Sequence, residues 1–550
     1  MTETVGYQIA NALADAGVKA IFGVISIHNM PILDSIAEQG RIRFIPARGE
    51  AGAMNMADAY SRVSGEVGVA LTSTGTAAGN AAGAQVEALT AGSRVLHITT
   101  QVDRQFMDQD RAAIHDVPKQ PEMLKGISKS YFRIWDDKSA VSTVEAAIRA
   151  AVTPPAGPVS LEIPVDVQRL PAIQGQKAIM PKPTRPQADP AQISALAKLV
   201  KDAKRPLIWL GGGAREASAQ AEELVARGFC AVTSTQGRAT VAEDNPATLG
   251  AFNMTPEAQE IYAKSDLMIV VGSRLRGNET LNNKMVLPKP LIQIDAEPTQ
   301  GGRNYPVDMF IHADAGLALQ ALLDALPAKL DVDANHIHDI SVARAKSEGA
   351  LRGRLGPYQV VADKLLEVIP EGKHPWVRDV TISNSTFGNR YVQIGAPNLG
   401  VHALGGGIGQ GIAMGIGAAV ASPEARTVTL LGDGGSMLGI AELITAVDEG
   451  LNLVYLLMND SAYGVIENIQ DAQYDGRRHY SKIKVPDFGK LCSSIDLPHM
   501  KVDTIDAFRA AFDEAMAKTG PVLLEVDMVK IGPFAEQFSG PPAGAAGNKV

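Results

Sequence analysis

Short apolar runs alternate with helical stretches along most of the chain. Residues 1–17 are amphipathic, and the runs KAIFGV (19–24), VGVALTST (67–74) and SRVLHITT (93–100) have the length and borders of buried strands. Apolar strands separated by helical stretches are typical of a parallel sheet covered by helices on both faces. The first 168 residues therefore predict a doubly wound α/β domain.

The pattern returns twice, after two seams of different composition. The first seam, LPAIQGQKAIMPKPTRPQADP, has the proline density of a linker, and the second, near 329–356, is charged. Between them, RPLIWLGGG, SDLMIVVGSRL and PLIQIDAEP again predict parallel strands. We therefore predict an α/β protein with three doubly wound domains. Their predicted bounds are 1–168, 190–328 and 357–530, followed by a Gly/Pro/Ala-rich tail at 531–550.

The first and third blocks close on a similar phrase. GPVSLEIPVD begins at Gly157 and GPVLLEVDMV begins at Gly520, too far apart for a solenoid repeat. The phrase predicts that these two blocks share a fold, although Gly-Pro before an apolar run is also a common entry to a strand. Two like domains flanking a different one would place a ligand between the like pair.

Composition and charge exclude several classes of protein. A net charge of −9 argues against a nucleic-acid groove or an anionic membrane surface as the main partner. Cys230 and Cys492 are the two cysteines, so a disulfide framework or a thiolate metal cluster is excluded. The N-terminus is acidic, unlike a signal peptide, and residues 404–421 carry too many glycines for a membrane span. We expect a cytoplasmic protein.

The stretch TVTLLGDGGSMLGIAELITAVDEG carries the most specific chemistry. Asp433 lies in a glycine turn between a predicted strand and a predicted helix, where backbone N–H groups and the helix dipole favour an anion. A carboxylate there repels the anion unless a cation lies between them. The next predicted strand, NLVYLLM, ends beside Asp460. Both carboxylates are therefore predicted to bind one Mg²⁺ that holds a diphosphate. The alternative is that both are ordinary turn residues.

GDG followed by Asn459-Asp460 resembles the signature of the thiamine diphosphate enzymes of the pyruvate decarboxylase, acetolactate synthase and benzoylformate decarboxylase group. That signature ends on two asparagines, the second of which Asp460 replaces here. The three-block order and the closing phrase extend the resemblance to nearly the whole chain. It implies a pyrimidine-binding, a central and a diphosphate-binding domain in that order. It also implies thiamine diphosphate and Mg²⁺ as cofactors, with Asp433, Asp460 and the Ala462 carbonyl as metal ligands.

The resemblance also assigns a role to Glu50, in RFIPARGEAGAMNMADAYSRVSG. In the family, this carboxyl bonds to N1′ of the aminopyrimidine and favours the imino tautomer that removes the thiazolium C2 proton. It reaches the cofactor of a neighbouring subunit, which implies a homodimer or a homotetramer. Glu50 as an acid that only stabilises a helix start is the alternative.

The remaining cofactor contacts follow from the same resemblance. Leu438 would hold the two cofactor rings in a bent conformation, and the backbone of Gly407 and Ile408 would meet the aminopyrimidine. Alternatives are a core leucine and glycines that serve helix packing. The hydroxyls of SNST (383–386) would bond the diphosphate, unless they belong to an ordinary loop. The further implied cofactor contacts are Ser383, Thr386, Gly434, Gly435, Ser436, Tyr463 and Gly464.

The substrate side of the site is less well defined. His28 lies in FGVISIHNMPILDS, where Ile25-Ser26 replaces the usual Pro-Gly, and His115 lies in RAAIHDVPKQPEM. Both are candidate catalytic residues, as proton donors or to orient a carboxylate, and structural histidines are the alternative. Thr72 stands near a histidine position of benzoylformate decarboxylase, and Ile466 near an acid position of the decarboxylases.

The resemblance implies a concrete reaction. The C2 carbanion attacks the carbonyl of a 2-oxo acid, CO₂ leaves, and the resulting enamine is protonated or added to a second carbonyl. We favour decarboxylation or a related lyase reaction, because GGGIGQGIAMGIGAA resembles the spacing of benzoylformate decarboxylase. The alternatives are an acetolactate-synthase-type carboligase and, more distantly, a CoA-thioester lyase of the oxalyl-CoA decarboxylase type.

Two hypotheses from other classes stay open. IWLGGGAREASAQ resembles a dinucleotide-binding turn but lacks the third glycine at the required spacing, which weakens the case for an oxidoreductase. The same stretch leaves open a bound FAD or ADP in the central block. A catalytically silent regulatory paralogue is the other hypothesis, which the intact Glu50 and Asp433 argue against.

Overall fold

The computed structural model of the protein describes residues 3–173, 175–179 and 182–538. It contains three sheets of six, five and six strands, and the strand pairs within them are all parallel. The predicted three-sheet α/β fold is confirmed. Over the described ranges, the search for a helix long and apolar enough to cross a membrane finds none.

The N sheet is built from residues 20–164. Its strands are β1 Ala20–Gly23, β2 Arg43–Pro46, β3 Gly68–Thr72, β4 Val95–Gln101, β5 Ser130–Arg133 and β6 Val159–Pro164. Their spatial order is β2-β1-β3-β4-β6-β5. The accompanying helices are α1 Val5–Asp15, α2 Met30–Gln39, α3 Glu50–Ser64, α4 Thr76–Ala91, α5 Gln120–Gly126, α6 Ala140–Val152 and α7 Val165–Gln168.

The middle sheet is built from residues 206–312. Its strands are β7 Pro206–Leu210, β8 Cys230–Thr233, β9 Leu267–Val271, β10 Leu291–Asp295 and β11 Met309–His312, in the order β11-β10-β9-β7-β8. The buried apolar side chains of these strands form one core with the surrounding helices. Those helices are α8 Pro190–Asp202, α9 Ser218–Ala226, α10 Pro256–Lys264, α11 Ala315–Ala325 and α12 His336–Arg354.

The C sheet is built from residues 376–527. Its strands are β12 Trp376–Arg378, β13 Gly400–His402, β14 Thr427–Gly432, β15 Leu453–Asn459, β16 His499–Val502 and β17 Val522–Asp527. Its helices are α13 Gln359–Val368, α14 Gly411–Ala421, α15 Asp433–Gly439, α16 Glu442–Asp448, α17 Gly464–Gln473, α18 Phe488–Ser494, α19 Phe508–Ala517 and α20 Met528–Ile531.

The spatial order of the C sheet, β13-β12-β14-β15-β17-β16, is that of the N sheet strand for strand. The repeated closing phrase forms the fifth position in both, as β6 and β17. In each sheet, the glutamate of this phrase accepts a hydrogen bond from the last residue of the neighbouring strand. Gln101, which ends β4, donates to Glu162 over 3.2 Å, and Asn459, which ends β15, donates to Glu525 over 2.9 Å. The prediction that the first and third blocks share a fold is confirmed.

Helices α3 and α14 cross at close range and join the N and C sheets. A Cβ on Gly417 would overlap the Met56 carbonyl, and one on Gly415 would lie 2.5 Å from the Thr429 hydroxyl. These two glycines of α14 therefore allow close packing of the helix, which was the alternative interpretation of the glycine-rich stretch. The glycines between residues 405 and 409 precede α14 and have different neighbours.

Two local predictions were wrong. The single helix expected after the GDGG turn is two helices of seven residues, α15 and α16, separated near Gly439. A Cβ at Gly439 would lie 2.9 Å from the Gly409 carbonyl oxygen. The segment at Gly409 therefore passes so close to the helix that a larger residue does not fit at position 439. The alternative of an ordinary loop at 383–386 also does not hold, because the chain enters a π-helical turn, Asn384–Gly388.

The predicted domain bounds stay predictions. The predicted tail begins within the described residues, where Phe534 packs on Tyr358 with ring centroids 4.5 Å apart and the Tyr358 hydroxyl donates to the Gly532 carbonyl. The start of this segment is therefore packed against the C-sheet helices. Residues 539–550 lie outside the described part of the chain.

Candidate active site

Two carboxyl groups, one buried and one half-buried, meet at the C-terminal edge of the C sheet. Asp433 directly follows β14 and Asp460 directly follows β15, its neighbour. The two side chains are within hydrogen-bonding reach of each other, and Asp433 is only 1% exposed. Burial raises the pKa of both carboxyls, and the charge of Asp433 helps to raise the pKa of Asp460 to about 8. Two carboxylates this close need a shared proton or a cation between them.

The donor set fits Mg²⁺. Oδ2 of Asp433 is buried and finds no hydrogen-bond partner in the described part of the protein, so one ligand oxygen is uncommitted. In those same ranges, no group of three or more His, Cys, Asp or Glu side chains is arranged to hold a metal. A metal here would therefore take backbone, water or phosphate oxygens besides the two carboxylates, as Mg²⁺ commonly does.

The turn after Asp460 is fixed by its neighbours. Ser461 adopts a left-handed φ of 55°, Ala462 forms a bridge with Lys482, and the Tyr463 N–H donates to the Ser481 carbonyl over 2.8 Å. A Cβ on Gly464 would overlap the Asp460 carboxylate, so only glycine fits there. The strand end is held by the Asn459 to Glu525 bond.

The glycine turn after β14 is closely packed against two neighbouring side chains. A Cβ on Gly434 would lie 2.6 Å from the Tyr463 ring, and one on Gly435 would lie 3.0 Å from the Asp379 carboxylate. The Ser436 hydroxyl donates to the Gly432 carbonyl over 2.8 Å. Since α15 is only two turns long, the exposed N–H groups of the turn matter more to an anion than the helix dipole does.

The two hydroxyls predicted to bind the diphosphate differ in environment. Ser383 is buried, and its hydroxyl lacks a hydrogen-bond partner among the described residues. Thr386 donates its hydroxyl proton to the Ile382 and Ser383 carbonyls, both over 3.0 Å. Only Ser383 therefore offers a free donor.

Leu438 is not a core leucine. Its side chain is 63% exposed, and a Cβ on Gly409 would lie 2.5 Å from its Cβ. Leu438 therefore stands beside the glycine-rich segment that contains Gly407 and Ile408, and Ile408 is itself exposed. An apolar side chain left exposed beside a polar turn is the arrangement expected of a ring-contacting wedge.

Glu50 is the first residue of α3, half-buried, and accepts a hydrogen bond from Asn80 over 3.1 Å. The entry to α3 is held by Glu442 of the C-sheet domain, which accepts from the Arg48 and Gly49 N–H groups over 3.0 and 3.1 Å. The position of the Glu50 carboxyl thus depends on a contact between the two like domains.

The structure brings His28 and His115 together. Their ring centroids are 5.2 Å apart with the rings nearly perpendicular, although 87 residues separate them in the sequence. Nδ1 of His28 is 3.4 Å from the Ser73 hydroxyl. Burial, followed by the proximity of His115, lowers the pKa of His28, so His28 is neutral at pH 7. Two imidazoles at one place can supply both a proton donor and a proton acceptor.

Two neighbouring positions have structural partners instead. Thr72 is buried and lies 2.9 Å from Nε2 of His97. Glu467, next to the exposed Ile466, is buried and pairs with Arg478 and Lys482 over 3.2 and 3.4 Å. Glu467 is therefore committed to holding its own loop.

Three domains of one known protein family match most of this chain. In order, they are the N-terminal TPP binding domain of thiamine pyrophosphate enzymes at residues 3–123, the central domain at 193–322, and the C-terminal TPP binding domain at 382–526. The chain belongs to the thiamine pyrophosphate enzyme family. The paired carboxyls, the glycine turn and Leu438 all lie within the C-terminal match, and Glu50, His28 and His115 within the N-terminal one.

Relatives within this family have named activities. A probable 2-ketoarginine decarboxylase of Pseudomonas aeruginosa is 28% identical over 85% of this chain and 84% of its own. A probable acetolactate synthase large subunit of Methanocaldococcus jannaschii is 27% identical over 98% of this chain and 94% of its own. The acetolactate synthase large subunit of Haemophilus influenzae is 28% identical over 93% and 91%. The chain is similar to decarboxylases and synthases alike.

Three buried carboxylates of this thiamine pyrophosphate enzyme were missed by sequence reasoning: Glu87, Asp379 and Glu442. Asp379 had a signal, since WVRDV places an acid directly after a strand, as Asp433 is placed. Glu87 and Glu442 lie inside helices, where an acid is usually a solvated surface residue. Their partners are more than 300 residues away in the sequence, which no local pattern indicates.

Proposed function

We propose that the protein catalyses the thiamine diphosphate- and Mg²⁺-dependent cleavage or decarboxylation of a 2-oxo acid. The observation that carries the proposal is the Asp433–Asp460 pair, whose proximity calls for a cation at the edge where a diphosphate would lie. The family membership and the decarboxylase and synthase relatives support it. We also propose that the protein is cytoplasmic.

The chain's own residues have distinct tasks in this proposal. Asp433, Asp460 and the Ala462 carbonyl would hold Mg²⁺, while the N–H groups near Gly434 and the Ser383 hydroxyl would bond the diphosphate. Bound thiamine diphosphate would supply a nucleophilic carbon and an electron sink. Glu50 would share a proton with the pyrimidine N1′, and Leu438 would hold the cofactor bent.

We propose an active homodimer, with a homotetramer as the larger assembly. Glu50 would act on the cofactor held by the partner copy. In support, large apolar side chains are exposed on both halves of the predicted site, Ile25 and Ile27 on one and Ile408 and Leu438 on the other. A second copy would cover these side chains, since contiguous apolar surface of this kind commonly marks an interface.

We infer that the reaction ends in a protonation, which yields an aldehyde, and not in ligation to a second carbonyl compound. The His28–His115 pair supports this inference, because two neighbouring imidazoles can donate and accept a proton. An acetolactate-synthase-type carboligase is the alternative, supported by the synthase relatives.

One further observation favours an accessory nucleotide, FAD or ADP, in the central domain. A cavity of about 1270 Å³ lies where the ends of β7, β9 and β10 face the other two domains. Its lining includes the basic residues Arg94, Lys129, Arg185, Arg215, Arg274 and Arg276 and the acidic residues Glu216, Glu279, Asp295, Glu297 and Asp314. A cavity at strand ends with an excess of basic side chains suits a diphosphate-bearing ligand. Absorbance of the purified protein near 450 nm separates a flavin from ADP or an empty cavity.

The experiment that tests the main proposal starts from dialysed protein. Thiamine diphosphate, Mg²⁺ and a panel of 2-oxo acids are added, including pyruvate, benzoylformate and 2-ketoarginine, and CO₂ and products are followed by mass spectrometry. We expect cofactor-dependent CO₂ release with an aldehyde product from at least one acid. A ligated product alone would favour the carboligase, and failure of the wild-type protein to bind thiamine diphosphate would contradict the proposal.

A further inference from the structure

The segment 404–411 joins β13 to α14 and would present Gly407 and Ile408 to the cofactor. Gly406 and Gly409 adopt left-handed φ angles of 80° and 86°, which glycine tolerates. Gly405, Gly406 and Ile408 are exposed. A segment so rich in glycine loses much conformational entropy when it is fixed, so its shape needs strong external contacts.

One such contact comes from the N-sheet domain. The Leu404 N–H donates to Oε1 of Glu87 over 2.7 Å, and the Gly405 N–H donates to Oε2 over 2.6 Å. Glu87 is 2% exposed and lies on α4. Its charge is balanced by Arg62, 2.9 Å away, which also pairs with Asp58.

The other contact comes from the C sheet. Asp379 follows β12, is 1% exposed, and accepts from the Gly409 N–H over 3.1 Å and the Gly411 N–H over 3.3 Å. A Cβ on Gly411 would lie 2.7 Å from the Asp379 Cβ, so the segment passes directly over this carboxylate.

We propose that Glu87 and Asp379 are positioning residues that hold segment 404–411 in its cofactor-binding shape. The inference rests on the proposed function. Each carboxylate accepts two backbone N–H groups at one end of the segment, and charge-assisted bonds of this kind are about twice as strong as neutral ones. The segment between the two ends is thereby preorganised, with its exposed backbone available to the aminopyrimidine.

The test compares E87Q and D379N with the wild-type protein. In E87Q the carboxamide NH₂ faces either the Leu404 or the Gly405 N–H, so one bond at that end is lost. In D379N the amide oxygen at the Oδ2 position can still accept from Gly409 and Gly411, but the bonds are no longer charge-assisted and the NH₂ at the Oδ1 position faces the Val380 N–H. We expect the dissociation constant for thiamine diphosphate, titrated by tryptophan fluorescence at saturating Mg²⁺, to rise about tenfold. At saturating cofactor, kcat should stay within about threefold of the wild-type value, since Glu50 and the metal ligands are intact.

A matched control separates positioning from general stability. Glu243 is also buried, pairs with Arg238 and accepts the Ile394 N–H over 2.8 Å, but it holds a different segment. E243Q should lower the melting temperature and leave the cofactor affinity unchanged. In addition, hydrogen exchange of apoprotein peptides covering 404–411 should be faster in E87Q and D379N and unchanged in E243Q.

A second variant covers the case in which the buried substitutions do not fold. A Cβ on Gly405 would lie 2.7 Å from Oε2 of Glu87, so G405A displaces the contact without removing a buried charge. It should weaken cofactor binding in the same direction. Unchanged affinity and exchange in all folded variants would overturn the inference, whereas a wild-type protein that does not bind thiamine diphosphate would instead overturn the proposed function.

Discussion

The N and C sheets have the same strand order but different chemistry at their C-terminal edges. In the N sheet, the positions after the third and fourth strands carry Thr74 and Val102, and Thr74 bonds to Gln101 and Gln120. In the C sheet, the corresponding positions carry Asp433 and Asp460, which lie within hydrogen-bonding reach of each other and whose pKa values burial raises. The difference teaches that one fold supplies two equivalent edges, and that the edge with the paired carboxyl groups is the one we propose for the cofactor.

The N sheet contributes through a different loop. Its β2 strand leads into α3, whose first residue is Glu50, while the equivalent β13 strand leads into the glycine segment before α14. The loop after this strand thus carries a carboxyl group in the N-sheet domain and accessible backbone in the C-sheet domain. The site that we propose between two such domains would use both.

The largest expected effect is that of Glu50→Gln. The amide cannot take the proton from N1′, and loss of a positioned acid commonly costs about 10²–10⁴-fold in rate. We expect turnover to fall by this factor while thiamine diphosphate still binds. Product formation and cofactor titration measure the two quantities. Asn80→Ala, which removes only the hydrogen-bond donor to Glu50, is the milder comparison. Retained turnover in Glu50→Gln would contradict the proposal that the N-sheet domain supplies the acid while the C-sheet domain binds the metal and the diphosphate.

The equivalent glutamates of the repeated phrase test whether the two edges are separable. Glu162 is bonded by Gln101, Gln120, Tyr131 and Arg133, and Glu525 by Asn459, His499 and Lys501. Removing one partner of a buried ion pair costs about 3 kcal/mol, so Glu162→Gln should lower the unfolding free energy by about that amount. Glu525→Gln should cost less, since Lys501 is partly exposed.

Only the second substitution should affect the metal. Glu525 holds Asn459, the residue before Asp460, so Glu525→Gln should also raise the Mg²⁺ concentration needed for half-maximal cofactor binding. Glu162→Gln should leave that concentration unchanged. Urea unfolding and Mg²⁺ titration provide the two measurements, and equal metal dependence in both variants would show that the edges are coupled.

Much of this comparison was predictable from the sequence. Apolar runs with turn borders predicted the strands, and the position of each acid directly after a run predicted the meeting of Asp433 and Asp460. The repeated phrase predicted the shared fold, although the bond made by its glutamate was not foreseen. Glu87 and Glu442 were missed because a helical acid becomes a backbone clamp only through packing with a distant segment.

The split of the predicted helix after Asp433 also could not be predicted from the local sequence pattern. Residues 436–450 have helical composition throughout, and the break near Gly439 follows from the close passage of Gly409, 30 residues earlier. Tertiary contact overrides local propensity there.

The two metal carboxylates should not be equivalent. Asp433→Asn removes the charge at the end of β14 and should weaken Mg²⁺-dependent cofactor binding by about 10–100-fold, the cost of a charged interaction. Asp460→Asn keeps an oxygen donor and relieves the repulsion, so binding should weaken by less than about tenfold. In the absence of metal, Asp460 keeps a proton in the folded protein that the unfolded chain loses above about pH 4, so wild type loses stability as the pH rises from about 4 to 8. Asp460→Asn lacks this loss, so its melting temperature should exceed that of wild type by a margin that grows up to about pH 8. The reverse order of binding defects would contradict the assigned roles.

The smallest expected effect concerns one histidine in each sheet, His97, which is buried, and His402, which is half-buried. Burial lowers the pKa of His97 on β4 and of His402 at the end of β13 to about 3. Between pH 6.5 and 3 the unfolded chain takes up a proton that the folded protein does not, so acidification destabilises the fold. Each histidine should contribute a loss of about 1 kcal/mol between pH 6.5 and 5.5. His97→Gln and His402→Gln should each reduce the pH dependence of urea unfolding by that amount, while His338→Gln, on the exposed side of α12, should leave it unchanged. If neither His97→Gln nor His402→Gln changes the slope, these histidines are not held neutral, and the two sheets do not share this feature.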